Sequence, residues 1–299
     1  MYKIIKNSWI WFTISIVLAV FSIISLTVFG LRLGIDYKGG TVIEFSSSSQ
    51  DKVAVTEQVL SELKYTGFQI KESGSNSAII RLTTLSNEEH NTLTNSLKSK
   101  LLDYNETSYD TVGPVVGRDL TQKSIIAVVL ASLGIITFIA FAFRKIPKPL
   151  SSWKFGLCAV IALIHDLLIT VGFVSFAGHF FIWMEADALF ITALLTIMGF
   201  SVHDTIVVYD RLRENFIKNP REDIEVVAEE SVNQTLVRSI NTSMTTIIVL
   251  VALLIFGSHS IRHFVSTLVF GIALGTYSSI FNATPLLVLW QKKGQQAAK

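Results

Sequence analysis

The sequence is short of charge, cysteine and proline. Of its 299 residues only 16% are Asp, Glu, Lys or Arg, while 50% belong to the apolar set. A water-soluble domain carries about 25% charged residues, so this deficit, with a mean hydropathy of +0.51, points to lipid as a solvent. The single cysteine, Cys158, lies in an apolar run and excludes a disulfide framework within the chain and any Cys-based zinc site. Five prolines, and no low-complexity tract beyond Ser46–Ser49, leave little room for disordered linkers. A net charge of +2 is too small to argue for nucleic acid. Catalytic signatures are missing too: the sequence has no H-E-x-x-H, no Gly-rich phosphate loop before a helix, no Walker lysine and no G-x-S-x-G. Neither enzymatic activity nor a cofactor is expected. Gly39-Gly40 and Gly113-Pro114 read as turn or hinge punctuation.

What is present is long apolar runs. A spanning helix needs about 20 mostly apolar residues. Six stretches qualify: Ser8–Leu31, Ser124–Phe143, Phe155–Ala177, Ala188–Tyr209, Leu236–Phe256 and Phe264–Trp290. The first is too long for the core of a signal peptide, and no small-residue cleavage site follows it, so it is expected to be an uncleaved anchor. Lys and Arg in short loops set orientation. Lys3 and Lys6 precede the first span; Arg144, Lys145, Lys148 and Lys154 follow the second; Arg211, Arg213, Lys218 and Arg221 follow the fourth; Lys292, Lys293 and Lys299 follow the last. Of the opposite short loops, His179–Asp187 holds no Lys or Arg and Ser258–His263 only Arg262. Both termini are therefore expected on the cytoplasmic side and the Leu33–Lys123 segment outside.

That outside segment has the periodicities of a folded domain. Thr41–Phe45 alternates as a strand, and Lys52–Tyr65 spaces Val55, Val59 and Leu63 as a helix before the stop signal Gly67. Phe68–Lys71 and Ala78–Leu82 read as strands joined by a turn through Gly74, Ser75 and Asn76. Ser86 and Glu89 form a capping box before a helix to about Leu102, and a last strand is expected near Ser108–Val112. The order β-α-β-β-α-β is ferredoxin-like. That fold hosts many functions, and a structural or docking module without catalysis is the plainer reading. The predicted architecture is an α-helical polytopic membrane protein with a small α+β ferredoxin-like extracytoplasmic domain. Its parts are a first transmembrane helix with its cytoplasmic N-terminus (1–31), the extracytoplasmic domain (32–123), a five-helix transmembrane region (124–290) and a cytoplasmic tail (291–299).

Ionisable residues inside the spans carry the functional signal, because such residues are costly and face a bundle interior or a water-filled cavity. Asp166, beside His165, falls near the middle of the third span, and Asp204, beside His203, in the cytoplasmic half of the fourth. Arg238 stands at the cytoplasmic end of the fifth. Asp204 is about five residues, roughly 8 Å, from the end of its span. It and Arg238 are thus within reach of each other as a pair. Thr192 and Thr196 lead toward Asp204, and Thr242 and Thr245 continue from Arg238, sketching a hydrophilic seam. Arg238 reads equally as a side chain snorkelling to the headgroups. A carboxylate cannot snorkel far, so Asp166 and Asp204 read as functional or as members of a buried network. His165 and His203 are hydrogen-bonded neighbours or proton carriers. Asp210, Arg211, Arg213 and Glu214 read as an interfacial charge cluster, Gly271 and Gly275 as a close-packing GxxxG, and Asn282 with Pro285 as the site of a kink.

These residues resemble a known family. Gly34-Ile-Asp-Tyr-Lys-Gly-Gly-Thr-Val-Ile-Glu44 resembles the motif after the first helix of SecF-type members of the SecD/SecF family, and Val112-Gly-Pro-Val-Val-Gly-Arg-Asp-Leu120 the motif before their second. Ile164-His-Asp166, Gly199 to Asn215 (containing D-R-x-R-E-N) and Asn233 to Thr246 resemble their third, fourth and fifth helices. Two departures are small: His203 stands where Asn is common, and Lys38 where Thr is frequent. The resemblance implies half of a resistance-nodulation-division (RND) permease, completed by SecD, in the bacterial plasma (inner) membrane. It implies work with SecYEG, SecA and YajC, drawing on the proton-motive force late in preprotein translocation. It also implies a proton pathway through Asp204 and Arg238, with Asp166 a weaker member. Two other classes stay open: half of a small-molecule proton antiporter of the same superfamily, and an uncoupled scaffold of the translocon.

Overall fold

A computed structural model describes residues 2–73, 76–144, 151–181 and 183–296. Gly74, Ser75, Lys145, Lys148 and Lys299, and the side chain of Lys293, lie outside them. The chain divides into two compact units, Leu33–Ile125 and Met1–Arg32 with Ile126–Lys299.

The Leu33–Ile125 unit is built on four strands, β1 (Gly40–Ser46), β2 (Gln69–Ser73), β3 (Ser77–Leu82) and β4 (Asn105–Val112). They form an antiparallel sheet in the order β2-β3-β1-β4, with α3 (Lys52–Glu62) and α4 (Asn87–Lys100) in the crossovers, which is the ferredoxin-like arrangement. Alternation sets the register: Ile43 faces Ile80 and Tyr109 across the ladders, and Ala78, Ile80 and Leu82 of β3 turn inward onto Leu60, Leu93 and Leu97. The capping box is formed, with Glu89 N–H donating to Ser86 Oγ (3.3 Å) and Ser86 N–H to Glu89 Oε2 (2.8 Å). β4 starts three residues before the sequence pattern does. Polar Asn105, Glu106 and Thr107 show no alternation, yet pairing with β1 extends to Asn105 through an irregularity at Glu44/Phe45.

A short helix, α2 (Ile35–Lys38), precedes β1, and here the two glycine motifs meet. Gly39 has φ 75°, and a Cβ on it would stand 3.1 Å from Pro114 Cα. Pro114 opens α5 (Pro114–Ala142), where its missing N–H costs nothing. A turn later Gly117 lies under the α2 carbonyls, its Cβ position 3.1 Å from Tyr37 O. Tyr37 Oη and Ser124 Oγ, 3.2 Å apart, extend the joint.

The other unit holds α1 (Ser8–Val28), the later part of α5, α6 (Ser152–Phe180), α7 (Ala188–Lys218), α8 (Ile224–Phe256), α9 (Arg262–Ser278) and α10 (Thr284–Gln296). Among the described residues six helices are long and apolar enough to cross a membrane, the last running from α9 into α10. α8 has 33 residues, about 50 Å at 1.5 Å each, against a hydrocarbon core of about 30 Å. Hydropathy marks the apolar part only. The helix itself continues through polar sequence because Asp223 caps its first turn (Glu225 N–H to Asp223 Oδ1, 3.0 Å) and backbone bonding propagates. α7 likewise runs past Tyr209 to Lys218. The expected kink is a π-helical turn, Ser279–Ala283, between α9 and α10. Pro285 has no N–H for the preceding turn, and Thr284 Oγ1 (to Ser279 O, 3.2 Å) and Tyr209 Oη (to Ala283 O, 2.9 Å) satisfy carbonyls there. Small residues let helices approach. Ser22 of α1 meets Gly172 of α6, and Gly271 and Gly275 of α9 meet Ile197 and Ser201 of α7.

Candidate functional site

Asp204 lies on the inner face of α7, only 6% exposed. Its Oδ2 accepts hydrogen bonds from Thr276 Oγ1 of α9 (3.2 Å) and Ser243 Oγ of α8 (3.5 Å). Those two hydroxyls also hydrogen-bond each other, and Thr276 Oγ1 reaches Ile272 O at 3.0 Å. One carboxyl thus ties three helices through alcohols, with no ion pair among the described residues.

Arg238 is not that partner. It is exposed on α8 and makes no ion pair among the described residues. The reason is helical phase. Residues 100° apart face different ways, and the face of α8 turned inward is Ser231, Thr235, Ser239 and Ser243, at intervals of four. Arg238 sits one step round from Ser239, with exposed Thr242 and Thr245. The expected seam is likewise displaced. Thr192 is exposed and Thr196 half-buried, and each bonds a carbonyl of its own helix, as do Thr242 and Thr245.

Asp166 is fully buried on α6. Its Oδ2 accepts from Ser201 Oγ of α7 (2.6 Å), and its Oδ1 lies 3.0 Å from His165 Nδ1. Ser201 precedes Asp204 by three residues, on one helical face. Gly275, immediately before Thr276, packs onto Ser201, where a Cβ would stand 3.0 Å from the serine Cβ. A substituent there would separate α9 from α7 at the level of both carboxyls. His165 thus has a carboxylate neighbour, whereas His203 beside Asp204 is exposed. Among the described residues no three His, Cys, Asp or Glu side chains group as a metal site.

The charge cluster at the end of α7 forms short-range pairs, Arg213–Asp210 (2.6 Å), Arg211–Glu214 (2.6 Å) and Lys218–Glu214 (2.8 Å). Asn215 of the same stretch is buried, and its amide donates to Ser231 Oγ and Gln234 Oε1 of α8, both at 2.9 Å. The D-R-x-R-E-N stretch therefore closes the α7–α8 hairpin. Sequence reasoning missed Ser201, Ser243 and Thr276. The signal available was the four-residue repeat of Ser and Thr on α8.

Comparison with known proteins bears on the whole chain. The family model described as "Protein export membrane protein SecD/SecF, C-terminal" matches residues 92–293, and that described as "SecD/SecF GG Motif" matches residues 24–51, which include Gly39 and Gly40. The protein translocase subunit SecF of Thermobaculum terrenum is 43% identical, the alignment covering 98% of this chain and 95% of that protein. SecF of Anaerolinea thermophila is 37% identical over 97% and 94%, and that of Synechocystis 36% over 98% and 94%. Among solved structures, SecDF of Thermus thermophilus, described as a translocon-associated membrane protein, superposes with a TM-score of 0.84 at 29% identity. That match covers 97% of this chain and 39% of the longer SecDF chain. A buried carboxyl network in six apolar helices, the joined glycine motifs and these matches agree: the chain belongs to the SecD/SecF family of protein export membrane proteins, among its SecF translocase subunits.

Proposed function

We propose that this chain acts with a SecD subunit to draw on the proton-motive force, promoting late preprotein translocation and release through SecYEG and SecA. In this reading it lies in a bacterial plasma membrane with both termini cytoplasmic, residues 32–123 outside, and YajC as an associate. Asp204 and Arg238 carry the proton pathway, and Asp166 is a weaker member behind them. The observation that supports this most is Asp204 itself, a buried carboxyl within an apolar span whose partners are hydroxyls from two other helices. A carboxyl placed at such cost marks a relay or ion path rather than a packing position.

The exposed polar face of α8 supports a second half. Arg238, Asn241, Thr242 and Thr245 would face lipid on this chain alone, and a SecD half would cover them. The charge on Asp204 then decides how strongly the guanidinium of Arg238 is attracted, because Coulomb energies grow in a water-poor surrounding. With Arg238 turned outward on α8, loss of that charge acts first on the Ser243 and Thr276 hydroxyls, and the seam among α7, α8 and α9 is free to repack. The test is Asp204→Asn in membrane vesicles carrying the whole translocon, with and without a proton gradient. Loss of gradient-dependent preprotein export is expected. Full retention would sink the reading in favour of an uncoupled scaffold, and export of a small molecule in its place would favour an antiporter half.

A further inference from the structure

The hydroxyls around Asp204 form a chain that can be read in either direction. A Ser or Thr hydroxyl is one donor and two acceptors, an ionised carboxylate accepts only, and a protonated carboxyl gains a donor. With Asp204 ionised, Thr276 Oγ1 donates to its Oδ2 (3.2 Å) and the Ser243 O–H donates to Thr276 Oγ1. With Asp204 holding a proton, its O–H donates to Ser243, the Ser243 O–H to Thr276, and the Thr276 O–H to Ile272 O, already 3.0 Å away. Only the Thr276 hydroxyl torsion changes, and every hydrogen has an acceptor in both states. The backbone carbonyl of Ile272 is the sink that makes the reversal possible. Ser239, one turn before Ser243 on the same face, is 1% exposed, and its Oγ has no hydrogen-bond partner among the described residues.

We propose that Ser243 and Thr276 are positioning residues that keep Asp204 hydrogen-bonded whether or not it holds a proton, and so set the pH at which it exchanges one. This rests on the reading of Asp204 as the proton carrier. The other titratable or charged groups around it are His203 beside it on α7, His165 and Asp166 on α6 behind Ser201, and Arg238 on the outward side of α8. α9 carries Arg262 and His263 at its far end and Tyr277 beside Thr276, whose hydroxyl donates to Trp11 O at 3.0 Å.

The experiment is the pH profile of gradient-dependent preprotein export by the complete complex in vesicles. A hydrogen bond to a charged group is stronger than one to a neutral group, so Ser243→Ala with Thr276→Val is expected to displace the midpoint by about one pH unit or more. Ser243→Thr with Thr276→Ser keeps the hydroxyls and is expected to keep the wild-type midpoint. If the double variant fails to assemble, the single variants Ser243→Ala and Thr276→Val are read in the same way. Midpoints unmoved in these variants, with Asp204→Asn inactive, overturn this inference alone. An active Asp204→Asn overturns it together with the proposed function.

Discussion

Both units of this chain have apolar cores, but the helical one adds a buried carboxyl network and leaves large apolar side chains outside. The Leu33–Ile125 unit buries Ile43, Phe45, Leu60, Ile80, Leu93 and Leu97. The helical unit buries Phe155, Met198 and Tyr209 together with Asp166, Ser201, Asp204, Asn215, Ser239 and Ser243, while Val249 is 67% and Phe256 86% exposed. In water, removing apolar surface from solvent supplies the driving force. Lipid tails are as apolar as the side chains that face them, so helices there gain little by hiding Val or Phe. Close approach and hydrogen bonds select the arrangement instead. The polar network inside the bundle thus both helps to select its arrangement and is the place where chemistry can be sited.

This contrast can be broken by substitution. Ile80→Ala, in the sheet core, is expected to cost about 2–5 kcal/mol in the stability of its unit, read by hydrogen exchange of that segment in the intact protein. A loss below about 1 kcal/mol would deny that apolar packing holds this unit. In the bundle, Asp166→Leu leaves Ser201 without its acceptor and is expected to cost about 1–3 kcal/mol in detergent unfolding. Asp166→Asn, which keeps an acceptor, should cost less, and equal losses would show that volume alone matters there.

Ser86→Ala removes the α4 cap and should cost about 1 kcal/mol. Its partner adds a pH signature. The Ser86 backbone N–H and hydroxyl hold the Glu89 carboxyl below the usual carboxylate range. A lowered folded value means that this stabilisation is present above the ordinary range, about pH 4, and fades as pH falls through the lowered value. Glu89→Gln should flatten that part of the acid-stability curve, and an unchanged curve would remove Glu89 from it. Ser25→Ala, which breaks the 3.2 Å bond to Ser175 between α1 and α6, is expected to cost about 0.6 kcal/mol. Smallest of all, Val249→Leu on the exposed face of α8 should change stability by less than about 0.5 kcal/mol. A larger effect would show that this face is covered in the membrane.

Much of the architecture is legible without coordinates because hydropathy and alternation are local. The six runs correspond to six helices, and the pattern of Ala78, Ile80 and Leu82 shows which side of β3 is buried. Helix ends are not legible in the same way. α5 starts at Pro114 and α8 at Ile224 because caps and backbone bonding end a helix, whereas hydropathy registers only where lipid begins. The carboxyls stand out as charges in apolar runs, but their partners do not, since Ser243 and Thr276 resemble any hydroxyl in a membrane helix.

By itself the sequence determined that there are membrane helices and a ferredoxin-like unit, and that Asp166 and Asp204 are carboxyls within apolar helical runs. These are properties of composition and short-range spacing, which any window of residues carries. Only the tertiary structure decided that Asp204 meets Ser243 and Thr276 while Arg238 faces away. Turning α8 by one residue step, 100°, would exchange Ser239 for Arg238 on the inner face. What fixes its observed phase is contact with neighbouring helices, Asn215 with Ser231 and Asp204 and Thr276 with Ser243. Spacing along one helix does not contain that information.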